Sequence, residues 1–409
     1  MAVKTTRKAA VIGGSMSGLL CGLQLRRAGW HVDIFERAGG ELAGRGAGIV
    51  AQPHLIAALR DFGFDTRQLG VDVAMRRILD RDGRVSAELA CAQTMTAWER
   101  VYRALRDLFG NENYHPGKSF SGFTEDAKSV TARFADGGQA TCDVLVGADG
   151  LRSSVRDQCA GPLAPIYAGY VAWRALVPEA TLPDTVKRDV FPYMAFGLPP
   201  GEQFLAYPVA GEDNDLRPGQ RRLNVIWYRP ADEQNELQRL LIDEQGTRHA
   251  LSIPPPLIRR ALIEEMKAAA ERLLAPQFRD VVRSIGEPIL QPIYDLVSPR
   301  MAYGRVAIVG DAAFLIRPHV GAGVSKAADD AIALARALDG AEVEQGLLRF
   351  EKERYAVGLR TVERARHLGA YLQATKTAEE QERASRHSTD DAVLAETALV
   401  DFLEKPVTC

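Results

Sequence analysis

From Lys8 the chain passes through an apolar run, Ala9 to Ile12, into the turn Gly13-Gly14-Ser15-Met16-Ser17-Gly18. A helical stretch, Leu19 to Ala28, and a second apolar run, Val32 to Phe35, follow, and Glu36 closes the unit. Strand, glycine turn, helix, strand and acid in that order constrain the fold more than anything else in the chain. Glycines there let the backbone turn tightly and approach a pyrophosphate, the helix amides face its charge, and an acid beyond the next strand reaches ribose hydroxyls. The unit therefore predicts an adenine dinucleotide held by Gly13, Ser15, Gly18 and Glu36. Ser15 stands where the fingerprint has its middle glycine, and the bland alternative is a tight turn without a ligand.

Two further apolar runs, Val144 to Val146 and Val306 to Val309, each end in a turn of glycine and aspartate before a helix-like segment. This is the punctuation of parallel strands whose carboxyl ends carry ligand loops. Between Gly169 and Tyr228 the pattern changes to Val, Tyr, Phe and Trp runs broken by Pro and Gly, which reads as a mostly antiparallel sheet inserted into the nucleotide fold. Pro254 to Pro256 opens a charged helical region, Leu257 to Leu274, and after about Arg366 the composition is that of a helical tail with a frayed end. The fold class expected is α/β, α+β in total: a Rossmann-like dinucleotide-binding domain, an inserted mostly antiparallel β-sheet domain and a helical C-terminal tail. The division expected assigns residues 1–75, 98–165 and 290–370 to the first, 76–97 and 166–289 to the second, and 371–409 to the tail.

Composition narrows the partners. Fifty-one Lys and Arg against 53 Asp and Glu leave a net charge of −2, so there is no broad basic field for nucleic acid or an anionic membrane. Five scattered cysteines, none two residues from another, read as reduced thiols in a cytoplasmic protein. No apolar stretch approaches the roughly 20 residues that cross a bilayer. The histidines show no metal-binding spacing, so no metal site is expected.

Three segments carry a resemblance: the glycine turn; Cys142-Asp143-Val144-Leu145-Val146-Gly147-Ala148-Asp149-Gly150-Leu151-Arg152-Ser153-Ser154-Val155-Arg156; and Arg305 to Ala313 continuing through Arg317-Pro318-His319 to Gly321-Ala322-Gly323. Together, and in this order, they resemble the flavoprotein aromatic hydroxylases related to 4-hydroxybenzoate hydroxylase, over roughly residues 8 to 370. Gly169-Tyr170-Val171-Ala172-Trp173-Arg174, Ala206-Tyr207-Pro208 and Arg317-Pro318-His319 look like the hydroxypyridine-hydroxylating branch, whose members include enzymes acting on 2,6-dihydroxypyridine.

The resemblance implies non-covalent FAD, NADH or NADPH as a transient co-substrate, dioxygen, and a small electron-rich hydroxylated ring as substrate. It implies that Asp311 binds the ribityl chain or pyrophosphate, that backbone around Gly323 and Val324 meets the flavin pyrimidine edge, and that Asp149 lies near the second pass of the chain across the cofactor. Gly46, Ala47 and Gly48 resemble the loop along the flavin. Asp149 and Asp311 are also well placed simply to cap helices. The resemblance departs at Phe314, where many relatives have His beside the flavin, and at Trp98, where many have Arg; Arg100 and Arg103 are the substitutes on the same helix.

Ring hydroxylation needs a dry site and a group that removes the proton of a ring hydroxyl. His319, in the segment of Pro318, is the leading candidate, with Tyr207 and Tyr228 next and His54 weaker. Pro318, His319 and Tyr207 are expected to touch substrate. The alternatives are an FAD oxidoreductase that inserts no oxygen, a hydroxylase of a phenol, and a non-enzymatic FAD-binding interaction protein using the helical tail. A homodimer is compatible with the chain, and its oligomeric state is not encoded in any motif.

Overall fold

A computed structural model describes residues 6–40, 42 and 48–403. Six strands form a largely parallel sheet in the order Ala302–Tyr303, Val306–Ile308, Val144–Gly147, Lys8–Ile12, His31–Glu36 and Tyr114–Pro116. Lys8–Ile12 sits between Val144–Gly147 and His31–Glu36, parallel to both, with Ile12 level with Gly147 and Phe35. The chain leaves this central strand to one side first and reaches the other side later. The crevice beyond its carboxyl end is therefore the switch point where α/β sheets bind ligands.

The helix after the glycine turn spans Met16–Arg27, starting three residues before the expected Leu19, because Ser15 serves as its N-cap in extended geometry. Its buried face, Leu19, Leu20, Cys21 and Leu23, joins one core with the sheet and with the helix Gly323–Leu338.

Nine strands make the second sheet: Phe314–Leu315, Ile289–Val297, Ile166–Pro178, Arg222–Pro230, Gln203–Val209, Met194–Gly197, Val71–Leu79, Val85–Ala97 and Gly48–Ala51, in that order. Neighbours are antiparallel except Met194–Gly197 against Val71–Leu79. Two expected division points fall inside strands, 75/76 within Val71–Leu79 and 289/290 within Ile289–Val297. Val71–Leu79 runs on as one strand across the first point, and the second lies one residue into Ile289–Val297. A three-stranded antiparallel sheet, Phe120–Glu125, Val130–Phe134 and Gln139–Cys142, is an element the sequence reading did not identify.

Strand alternation gives the nine-stranded sheet two characters. Trp173, Phe204 and Trp227 point to one face and pack, with Phe278, against the helices Arg260–Leu273 and Pro276–Arg283. The helical region expected over Leu257 to Leu274 is the helix Arg260–Leu273, preceded by a short turn ending at Leu257, and a second helix, Pro276–Arg283, follows it. Tyr170, Leu205, Tyr207, Ile226 and Tyr228 point to the opposite face, towards the crevice. The tail folds back as the helices Ala378–His387 and Asp390–Glu396, and brings Thr397 and Ala398 to that same crevice. No described helix is long and apolar enough to cross a membrane.

Candidate active site

Two cavities meet at Ser15 and Trp98, forming one trough across the switch point. The first, about 390 Å³, is lined by Gly13, Ser15, Glu36, Arg37, Asp149 and Arg152 among others. Its glycines are required by space: a Cβ on Gly13, whose φ is +107°, would lie 2.4 Å from the Ala148 carbonyl oxygen, and one on Gly18 would lie 1.8 Å from that of Gly13. The Ser15 side chain makes no capping hydrogen bond, so its hydroxyl and the first helical amides are available to an anion. Glu36 is buried and accepts from the Gly14 amide (2.8 Å) and the Ala38 amide (2.8 Å), which locks the acid to the turn. These features fit the pyrophosphate and ribose of an adenine dinucleotide.

Asp149 accepts from the Ser153 hydroxyl (2.5 Å) and from the amides of Ser154 (2.8 Å) and Val155 (3.2 Å), so it does cap the helix Ser154–Ala160 while lining the cavity. Burial pushes its pKa up, against those hydrogen bonds. Arg156, fully buried, donates to the Ala312 and Leu151 carbonyls and ties this segment to the Asp311 turn.

The second cavity, about 320 Å³, is bounded by Gly48, Asp311, Gly323 and Val324 on one side and by the aromatic sheet face on the other. Asp311 opens into it; the protein packed around the carboxyl raises its pKa, and Lys326 opposes that shift. The turn is held from behind: Asp330, with no exposed surface, accepts from the Gly310 amide (3.3 Å), Lys326 Nζ (2.5 Å) and Arg354 Nε (2.9 Å). Gly48 donates to Asn224 Oδ1 at 2.9 Å, and a Cβ there would lie 2.7 Å from Asn224 Cγ and 2.8 Å from Tyr207 Cε2. Gly46 and Ala47 lie outside the described residues.

Pro318, His319, Tyr207 and Tyr228 all line this second cavity. His319 is buried, its Nε2 lies 2.8 Å from the Tyr170 hydroxyl, and its ring centroid is 4.5 Å from that of Tyr228. Burial, with Arg317 adding to it, pulls its pKa down to about 3. His319 is thereby held neutral at physiological pH and is a weaker base than an unperturbed imidazole. Burial pushes the Tyr207 phenol up to about 12, and the Tyr228 phenol up as well, so both remain protonated donors.

Other expectations are redirected. Phe314 lines neither cavity; it has no exposed surface and packs on Tyr355 and beneath Lys326. Arg100 and Arg103 do not reach the trough but line a separate cavity of about 260 Å³ with Phe64 and Asp213. His54 pairs through Nδ1 with Asp329 at 3.0 Å. Trp98 lines both halves of the trough, stacked on Tyr102 with centroids 5.1 Å apart.

Four contributors were not singled out from sequence. Tyr170 and Arg174 share a strand face, and alternation along Tyr170 to Leu176 was the signal that held them together. Thr397 and Ala398 carried no signal, since they reach the cavity by the fold-back of the tail. Ala398, at φ +53°, donates to the His319 carbonyl (2.7 Å), and its carbonyl accepts from Gln52 (2.8 Å) and Gln93 (3.0 Å).

A crevice shaped for an adenine dinucleotide, opening at its far end into a cavity lined by aromatic side chains, defines a flavoprotein that does chemistry on a small ring. Family models for an FAD binding domain-like region and an FAD binding domain match residues 167–295 and 259–365. The chain is 36% identical over 336 residues to 2,6-dihydroxypyridine 3-monooxygenase of Paenarthrobacter nicotinovorans, covering 81% of this chain and 82% of that one. It is 31% identical over 366 residues to aurachin C monooxygenase/isomerase of Stigmatella aurantiaca, covering 86% of each. The solved structure of 2,6-dihydroxypyridine-3-hydroxylase from Arthrobacter nicotinovorans superposes with a TM-score of 0.87 at 31% identity, over 99% of this chain and all of that one. The chain belongs to the FAD-dependent monooxygenase family. It is an FAD enzyme that inserts oxygen, which sets aside both the oxidoreductase without oxygen insertion and the non-enzymatic reading.

Proposed function

We propose that this monooxygenase hydroxylates a hydroxypyridine, with 2,6-dihydroxypyridine the leading member, using NADH or NADPH and dioxygen. The observation that carries this reading is the second cavity: a space of about 320 Å³ between the aromatic sheet face and the Gly323 turn, with His319 and Arg174 among the polar groups on its wall. The name of the relative at 36% identity supports the same ring class.

Gly13, Ser15 and Gly18 hold the pyrophosphate of FAD, Glu36 the adenosine ribose, Asp149 shapes the region between the halves, and Asp311 binds the ribityl chain or pyrophosphate. Backbone around Gly323 and Val324 would meet the flavin pyrimidine edge, and Gly48 would lie along the flavin. Bound FAD, once reduced by the nicotinamide coenzyme, supplies dioxygen activation and the electrophilic oxygen that the ring takes up. The chain's own part is to hold the ring, exclude water and handle one proton. With Nε2 engaged by Tyr170, Nδ1 of His319 is the nitrogen open to a ring hydroxyl, and it accepts or relays that proton. Tyr207 and Tyr228, kept protonated, donate hydrogen bonds to the ring or its substituents.

The test is a screen of hydroxypyridines and phenols for stimulated NADH and NADPH oxidation, with mass analysis of products formed under oxygen-18. Incorporation of one labelled oxygen into a hydroxypyridine is the expected result. Incorporation into phenols alone would overturn the substrate class.

A further inference from the structure

Electrophilic oxygen transfer is fastest to a ring that carries a negative charge, so the cavity must favour the ring anion. None of the expected proton-handling side chains does so by charge. His319 is neutral, and Tyr207 and Tyr228 are neutral donors. Arg317, the other cation on the cavity wall, has a counter-ion: its Nε donates at 2.8 Å to Asp295, a fully buried carboxylate that also takes Arg366, although its Nη1 is buried without a partner.

Arg174 differs from it. It lies on the strand Ile166–Pro178 opposite Ile226, half-buried, on the cavity-facing side of the sheet. Nη1 donates to Gln291 Oε1 at 2.9 Å, Nε is buried without a partner, and among the described residues no carboxylate lies within salt-bridge distance. A guanidinium has five donors, and here most remain unused. Its charge is felt in the cavity, since it is the group that opposes the upward shift of both the Tyr207 and Tyr228 phenols. A half-buried cation with no counter-ion is costly unless a ligand supplies one.

We propose that Arg174 is the anion-recognising group of the ring cavity: its guanidinium holds a ring oxyanion, so the enzyme takes its aromatic substrate as the deprotonated hydroxy-heteroaromatic ring. The inference rests on the ring-site reading above and deepens it. The ring proton leaves through His319 or to water before oxygen transfer, and the charge left on the ring oxygen is balanced by Arg174. Loss of a base as strong as a free histidine is thereby offset by stabilising the product of deprotonation.

The test compares binding of 2,6-dihydroxypyridine and 2,6-dimethoxypyridine, which has no hydroxyl proton to lose, to the FAD-loaded enzyme, read from the perturbation of flavin absorbance. Wild type is expected to prefer the dihydroxy ring, and Arg174→Met to lose about 10- to 100-fold of that preference, the scale of one charge-assisted hydrogen bond. Arg174→Lys, which keeps the charge, recovers part of it. FAD content and Tm of Arg174→Met and Arg174→Gln separate this from a structural role, in which stability falls while the preference persists. If wild type binds and hydroxylates the dihydroxy ring and Arg174→Met keeps the same preference, the Arg174 assignment alone is overturned. If wild type binds neither ring, the substrate reading falls and takes the assignment with it.

Discussion

The Tyr170 hydroxyl lies 2.8 Å from Nε2 of His319, with both side chains buried, and this contact orients the imidazole beneath the sheet. Gly369 packs against the pair: a Cβ there would lie 2.4 Å from that hydroxyl and 3.1 Å from Nε2. Tyr170→Phe should therefore leave a buried ring nitrogen unpaired and destabilise the protein by about 1–3 kcal/mol, read as a lower Tm. His319→Asn should keep FAD and flavin reduction, lower hydroxylation by ~100-fold or more, and divert oxygen to hydrogen peroxide. Near-normal product per coenzyme oxidised in His319→Asn would remove His319 from catalysis and move the search to Tyr207 and Tyr228.

The depressed pKa of His319 makes a pH prediction. In the folded protein the imidazole titrates at about 3, against 6.5 for a free one, so between these values the unfolded chain binds a proton that the native protein does not. Stability from this group is complete above pH 6.5 and is lost as pH falls towards 3, with a slope of at most about 1.4 kcal/mol per pH unit. Thermal unfolding of FAD-loaded His319→Asn should show a shallower acid limb than wild type across that window. Parallel limbs would mean that the histidine is not buried neutral.

Asp311 opens into the cavity from a turn that Asp330 fastens. Asp311→Ala should weaken FAD binding by roughly ten- to a hundredfold, the scale of one charge-assisted hydrogen bond, and leave the fold intact. Fluorescence titration of the apoprotein with FAD measures this, and unchanged affinity would refute a cofactor role for the aspartate.

Ending the chain after Glu396 removes Thr397 and Ala398 from the cavity wall and frees Gln52 and Gln93. Water then enters from that side, so the share of coenzyme oxidation that ends as hydrogen peroxide should rise several-fold while flavin reduction by the coenzyme persists. Peroxide yield per coenzyme consumed is the measurement. An unchanged yield would show that this wall does not exclude water.

The nucleotide half of the trough was legible in the sequence because its parts are local. Gly13, Ser15, Gly18 and Glu36 lie within one strand-helix-strand unit, and backbone sterics at a tight turn select those residue types wherever the unit occurs. Asp311, Gly323 and His319 were legible only as a resemblance, and their placement around one cavity depends on the packing of the helix Gly323–Leu338 against Met16–Arg27. What the tertiary structure alone decided is the character of the ring half. It set the basicity of His319, since burial and Arg317 act through space, not along the chain. It turned Phe314 into the core, left Arg174 with no counter-ion among the described residues, and carried Ala398 to the backbone of His319. Each of these depends on groups far apart in sequence meeting in a low-dielectric interior, where the cost of a charge or an unpaired donor is set by its neighbours, and a one-dimensional pattern of residue types does not contain those neighbours.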